Sequence, residues 1–158
     1  LLSTSPPPVT GRSRADRRWF QKKLDEFDVL VMGRKTFDTI RHSLKPRNRI
    51  VFTTKTTSLH TGVCKDAVMF EGSLRKLRAL LKERRWKRIA ILGGTQIYDW
   101  FLKRNLIDEA YLTLEPVIFG AGKLFASKPL KPSAHLHLSS IQRLNSEGTL
   151  LLHYKTKP

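Results

Sequence analysis

The chain has 158 residues, 40% of them hydrophobic, with three Trp and eight Phe, which suffices for one packed domain. Its single cysteine excludes an internal disulfide or a thiolate metal cluster, and no run reaches the roughly 20 apolar residues that span a bilayer. A formal charge of +17 suits anionic partners, whether a nucleic acid bound nonspecifically or an anionic cofactor and substrate, and decides between neither.

Residues 1–13, with three consecutive prolines and Gly11, read as an irregular loop. Ser13 then reads as an N-cap with Asp16 three positions later, opening a helix that places Trp19, Phe20 and Leu24 at helical spacing. Phe27–Met32 reads as a strand and Thr36–Ile40 as a short helix. Strands are expected over Asn48–Thr53 and Val68–Phe70. Ser73 opens a helix with Leu74, Leu77, Leu80 and Leu81 on one face. Its many cations, and those just after it, read either as a solvated outer face or as a nucleic-acid contact. Arg88–Leu92 is a strand, Thr95–Lys103 a helix and Glu109–Leu114 a strand. Leu136–Leu144 and Leu150–Tyr154 form a hairpin around Asn145-Ser-Glu-Gly148. This order implies an α/β fold in a single domain over 1–158: an open, mainly parallel sheet with helices on both faces and a C-terminal antiparallel hairpin.

Two segments share one design. Val29-Leu-Val-Met-Gly33 and Arg88-Ile-Ala-Ile-Leu-Gly93-Gly94 are buried-strand runs that end in glycine and open a helix. The first N–H groups of a helix lack intrahelical partners and sit at its positive dipole end, so phosphate is the natural ligand there. Two such junctions suit a dinucleotide, although glycine also serves tight strand-to-helix turning. No G-x-G-x-x-G fingerprint is present. Thr53-Thr54-Lys55 ends a strand at the same carboxyl edge, either as an ordinary polar turn or as a place for the 2′-phosphate of NADPH.

Met32-Gly33-Arg34-Lys35-Thr36-Phe37, Arg47-Asn48-Arg49-Ile50-Val51, Ile91-Leu92-Gly93-Gly94-x-x-Ile97-Tyr98 and Asp108-Glu109-Ala110-Tyr111-Leu112-Thr113 occur in order. Together, over about residues 14 to 154, they resemble dihydrofolate reductase. Leu112–Phe125 is also similar to the reductase domain of riboflavin biosynthesis. The resemblance implies NADPH held by Gly33, Arg34, Lys35 and Thr36 from one helix start and by Gly93, Gly94, Thr95 and Gln96 from the other. It implies a cis Gly93-Gly94 peptide, Thr53, Thr54 and Lys55 at the 2′-phosphate, and Tyr98 against the nicotinamide. Asp16 aligns with the family's single active-site carboxylate, for which the residue-level alternative is a capping-box acid. Thr113 matches the threonine bonded to that carboxylate, Phe20 a residue stacking on substrate, and Arg47 the arginine that pairs with the glutamate tail of folate.

The implied reaction is NADPH-dependent reduction of 7,8-dihydrofolate to tetrahydrofolate by hydride transfer. The alternatives are reduction of a ribosylaminopyrimidine phosphate in riboflavin biosynthesis and a basic nucleic-acid-binding module. A cytoplasmic monomer or homodimer without metal or membrane is expected, since the five histidines form no ligand or triad set. Two features depart from the family: the match starts after its N-terminal strand, so either an upstream segment or an impaired site is expected, and Gly120-Ala121-Gly122 replaces the common Gly-Asp pair.

Overall fold

A computed structural model describes residues 13–54, 67–118, 120, 125–126 and 135–156. The expected loop before Ser13, Lys55, Cys64 and the Ala121–Gly122 pair lie outside the described residues.

Four strands run parallel in the order β3-β2-β1-β4: β1 (Val29–Gly33), β2 (Arg49–Phe52), β3 (Ala67–Phe70) and β4 (Ile89–Ile91). Val31 of β1 pairs with Ile50 on one side and Ile91 on the other. Val29, Leu30, Val31 and Met32 are each at most 1% exposed, as expected of an unbroken apolar run in a parallel sheet covered on both faces. α2 (Arg34–Ile40) and α3 (Leu74–Glu83) connect strands of this sheet, and α4 (Thr95–Leu102) follows β4. They contribute Phe37, Leu77, Ile97 and Phe101 to the core. Arg49 is buried in β2, and its Nη2 donates to the Lys45 carbonyl at 3.0 Å, which closes the turn leading into the strand.

A second sheet, antiparallel in the order β5-β7-β6, joins β5 (Glu109–Leu114), β6 (His137–Arg143) and β7 (Leu150–Lys155). The expected parallel sheet with helices and a C-terminal antiparallel hairpin is present, and the structure adds one detail. Among the described residues the hairpin takes β5 as a third strand, in a sheet separate from the parallel one. The reason lies in β5 itself, where Glu109, Tyr111 and Thr113 alternate with Ala110, Leu112 and Leu114. That two-residue period fits an antiparallel strand with two unlike faces and not a strand buried on both. The β6–β7 turn uses Gly148 at φ +98°, a backbone region open to glycine at little cost.

Two boundaries also move. β1 starts at Val29, because the Phe27 N–H closes the turn after α1 (Arg14–Leu24) and the Asp28 carboxylate accepts the N–H groups of Lys87 and Arg88 at 2.7 and 2.8 Å. α2 starts at Arg34, directly after Gly33.

The chain divides into two compact units. One holds most of α1 with β5, β6 and β7; the other holds β1–β4 and α2–α4.

Candidate active site

In the first unit, Ser13 caps α1 by accepting the Asp16 N–H at 3.1 Å, an N-terminal donor that the helix cannot satisfy itself. A capping box would turn the Asp16 carboxylate back to the Ser13 N–H. It does not do so here. The Ser13 N–H goes to Glu115 Oε1 at 2.8 Å, and the Asp16 carboxylate accepts the Thr113 hydroxyl at 2.6 Å. Asp16 is 8% exposed, and no described residue donates to its Oδ2.

Thr113 on β5 and Glu115, one residue past the end of that strand, both meet the N-terminal end of α1. Glu115 also accepts the hydroxyl of fully buried Thr149 at 2.7 Å, and Asn145 donates to that same hydroxyl at 2.8 Å. The Ser13 N–H above all, and the Thr149 hydroxyl after it, hold the Glu115 carboxyl below the usual glutamate range. The face of β5 that holds Thr113 also carries Tyr111, which lies 5.5 Å from the Trp19 ring and stacks on His153 at 4.3 Å. The Tyr111 hydroxyl and His153 converge on Glu109, and the Tyr111 hydrogen bond is the larger cause of that carboxyl's lowered pKa. Phe20 lies four residues after Asp16 on α1, the spacing of neighbours on one helix face.

In the second unit, the two glycine junctions meet. The Gly33 N–H donates to the Gly93 carbonyl at 2.8 Å, and Thr36 Oγ1 would lie 3.5 Å from a Cβ on Gly94. Gly93 has φ +87°, and the Gly93-Gly94 peptide is cis. A Cβ on Gly93 would stand 2.8 Å from the Tyr98 ring, which stacks on Phe125 at 4.5 Å. α2 and α4 start at these junctions, so Arg34, Lys35 and Thr36 on one and Thr95 and Gln96 on the other share the corner. The Arg34 guanidinium pairs with Asp38 at 3.0 Å. Thr53, its N–H bonded to the Phe70 carbonyl, and exposed Thr54 follow the end of β2. Arg47 also lies in this unit, where its guanidinium bonds the Asp25 carboxylate.

Residues 12–128 match the protein family described as dihydrofolate reductase. The chain belongs to the dihydrofolate reductase family. It is 32% identical over 89 residues to the bifunctional dihydrofolate reductase-thymidylate synthase of Plasmodium vinckei, covering 54% of this chain and 49% of that protein. It is 26% identical over 100 residues to YwjB, an uncharacterized protein of Bacillus subtilis, covering 60% of this chain and 56% of that one. The chain thus spans about half the length of these curated relatives. Among solved structures, a putative riboflavin biosynthesis protein from Shewanella sp. PV-4 superposes with a TM-score of 0.75 at 22% identity, over 97% of this chain and 84% of that one. A pyrimidine reductase-like protein from Corynebacterium diphtheriae gives 0.70 at 16% identity, over 98% and 85%. At these identities the solved structures establish a shared fold.

Within this dihydrofolate reductase-family fold, the structure joins Asp16 to Thr113, and Gly33 and Thr36 to the Gly93–Gly94 pair. It gives Arg47 a carboxylate of the protein's own. The Glu115–Thr149–Asn145 support behind the start of α1 was missed in the sequence. Its one sequence signal was Glu115 lying two residues beyond Thr113.

Proposed function

We propose that this chain is an NADPH-dependent reductase, acting on 7,8-dihydrofolate, with Asp16 as its substrate-binding acid. The observation that carries the reading is the Thr113–Asp16 hydrogen bond. It draws a nearly buried carboxylate away from its own helix's capping box and leaves one oxygen for a ligand. A carboxylate held in this way suits the paired ring N–H and amino donors of a pterin.

The glycine corner fits the cofactor by the chemistry of its donor set. Arg34, Lys35, Thr36, Thr95 and Gln96 surround two helix starts; of the carboxylates on these two helices, Asp38 is paired with Arg34 and Asp99 is buried. These residues would hold a pyrophosphate, with Thr53, Thr54 and Lys55 at the 2′-phosphate and Tyr98 beside the nicotinamide. The bound nucleotide supplies the hydride. Asp16 orients the substrate ring and favours its protonated form, Thr113 fixes the carboxylate, and Phe20 stacks on the substrate.

A second reading, reduction of a ribosylaminopyrimidine phosphate, is supported by the riboflavin-type structural relatives and by Arg47. A folate tail would have to share Arg47 with Asp25, whereas a substrate without that tail makes no such demand. One measurement tests both readings: NADPH oxidation followed with dihydrofolate and, separately, with the pyrimidine phosphate. Turnover of dihydrofolate that Asp16→Asn suppresses supports the first reading. Turnover of the pyrimidine phosphate alone supports the second, and NADPH oxidation with neither overturns both.

A further inference from the structure

The helix α3 and the turn after it carry the most concentrated charge in the chain. Between positions 75 and 88 there are eight cations and one carboxylate, Glu83. All eight cations are exposed, while Leu77 is buried and Leu74, Leu80 and Leu81 are half-buried on the opposite side. Arg84 lies 3.9 Å from Glu83, and Arg88 bonds Glu26 at 3.1 Å. Lys87 sits beside the Asp28 carboxylate, which accepts its N–H at 2.7 Å, whereas Arg75, Lys76, Arg78, Lys82 and Arg85 have no anionic partner among the described residues.

An ordinary solvated helix face would be arranged differently, for three reasons. Arg75 and Lys76 occupy the first turn, where the dipole favours anions, and that turn has no acidic residue. Arg75–Arg78 and Arg78–Lys82 stand three and four residues apart, so like charges are neighbours, at a cost of about 0.2–0.5 kcal/mol per pair. Arg85 has φ +58° just past the helix end, a position that glycine takes most easily. Each choice lowers the stability of the isolated fold, and a polyanion laid along the face would reverse the two electrostatic penalties.

We propose that the outer face of α3 and its following turn bind the phosphodiester backbone of nucleic acid without reading its sequence. The spacing agrees: Arg75 to Lys82 covers about 10 Å of helix axis, and a nucleic-acid strand presents one charge per about 3.4 Å, so the stripe faces about three phosphates. This inference is independent of the reductase reading.

The test is fluorescence anisotropy of labelled single-stranded and duplex oligonucleotides of equal length, titrated with the full chain from 50 to 300 mM salt. If the five unpaired cations contact phosphates, log K against log salt has a slope of about −4.5 on duplex, at about 0.9 per contact. The triple variant Arg75→Ala/Arg78→Ala/Lys82→Ala makes that slope shallower by about 2.7 and weakens binding more than tenfold. The control triple variant Lys22→Ala/Lys103→Ala/Lys155→Ala, which removes exposed cations elsewhere, leaves the slope within about one of wild type. Relief of like-charge contacts predicts that the α3 variant melts at or above the wild-type temperature, so its weaker binding cannot be assigned to unfolding. The proposal is overturned by no binding at 50 mM salt, by equal slope losses in both variants, or by an α3 variant that melts several degrees lower. Binding to phosphatidylserine vesicles without binding to either oligonucleotide would also overturn it.

Discussion

Thr113 on β5 donates its hydroxyl at 2.6 Å to a carboxylate oxygen of Asp16, 97 residues earlier on α1. Hydrogen bonds to charged groups contribute about 1.5–3 kcal/mol, so this contact is strong enough to set the direction of the acid. Thr113→Val keeps the shape of the side chain and removes the donor. It should lower kcat/KM for the substrate about ten- to a hundredfold while leaving the Kd for NADPH, measured by fluorescence titration, within twofold. Asp16→Asn should cost more than Thr113→Val. Equal losses of NADPH affinity in both variants would show that the pair supports the fold and not the substrate.

Glu115 makes the start of α1 sensitive to acid. Its carboxyl lies below the ordinary glutamate range because the Ser13 N–H and then the Thr149 hydroxyl donate to it. A group whose pKa is depressed on folding adds stability that is present above the unfolded value and is lost as pH falls through the folded value. Glu115→Gln should therefore melt below wild type at pH 6 and 7, with the difference shrinking below pH 4.5. Differential scanning calorimetry from pH 7 to 2.5 checks the sign. A gap that widens in acid would mean that the carboxylate does not stabilise the cap.

These two contacts also show how far the sequence could be read. Asp16 and Thr113 were legible because each stands in a motif with a known partner type, and Ser13 because capping is local chemistry. The glycine junctions were legible because a wholly apolar run ending in glycine has few other uses in an α/β chain. Glu115–Thr149 and Arg47–Asp25 were not. Both join side chains far apart in sequence, and no spacing rule brings them together. The division into two sheets was visible in part, through the alternation along β5, but which strands pair depends on backbone edges that leave no mark in residue order.

Arg47 offers a way to tell the two substrates apart. Its Nη2 bonds Asp25, and its Nε is buried with no hydrogen-bond partner among the described residues. If it also binds the folate tail, Arg47→Ala should raise KM for dihydrofolate by about tenfold, as expected for one charged pair. KM for a dihydropterin without the glutamate should stay unchanged. Asp25→Asn should act in the opposite sense and lower KM for dihydrofolate, because it frees the guanidinium. Steady-state kinetics with the two substrates checks this, and equal effects on both would confine Arg47 to the turn it holds with Asp25.

Gly33 and Gly93 face each other across one hydrogen bond, yet they need glycine for different reasons. A Cβ on Gly33, at φ −80°, would meet the flexible Ile97 side chain at 3.2 Å. Gly33→Ala should therefore cost no more than about 1 kcal/mol. Gly93 has φ +87°, and its added Cβ would lie 2.8 Å from the Tyr98 ring, so backbone strain and a steric clash combine. Gly93→Ala should cost about 2–3 kcal/mol, read as a lower urea midpoint. Because part of that cost is the clash, Gly93→Ala combined with Tyr98→Ala should lose less stability than the two single losses added together. Simple additivity would mean that the backbone angle alone demands glycine and that Tyr98 is a bystander at the corner.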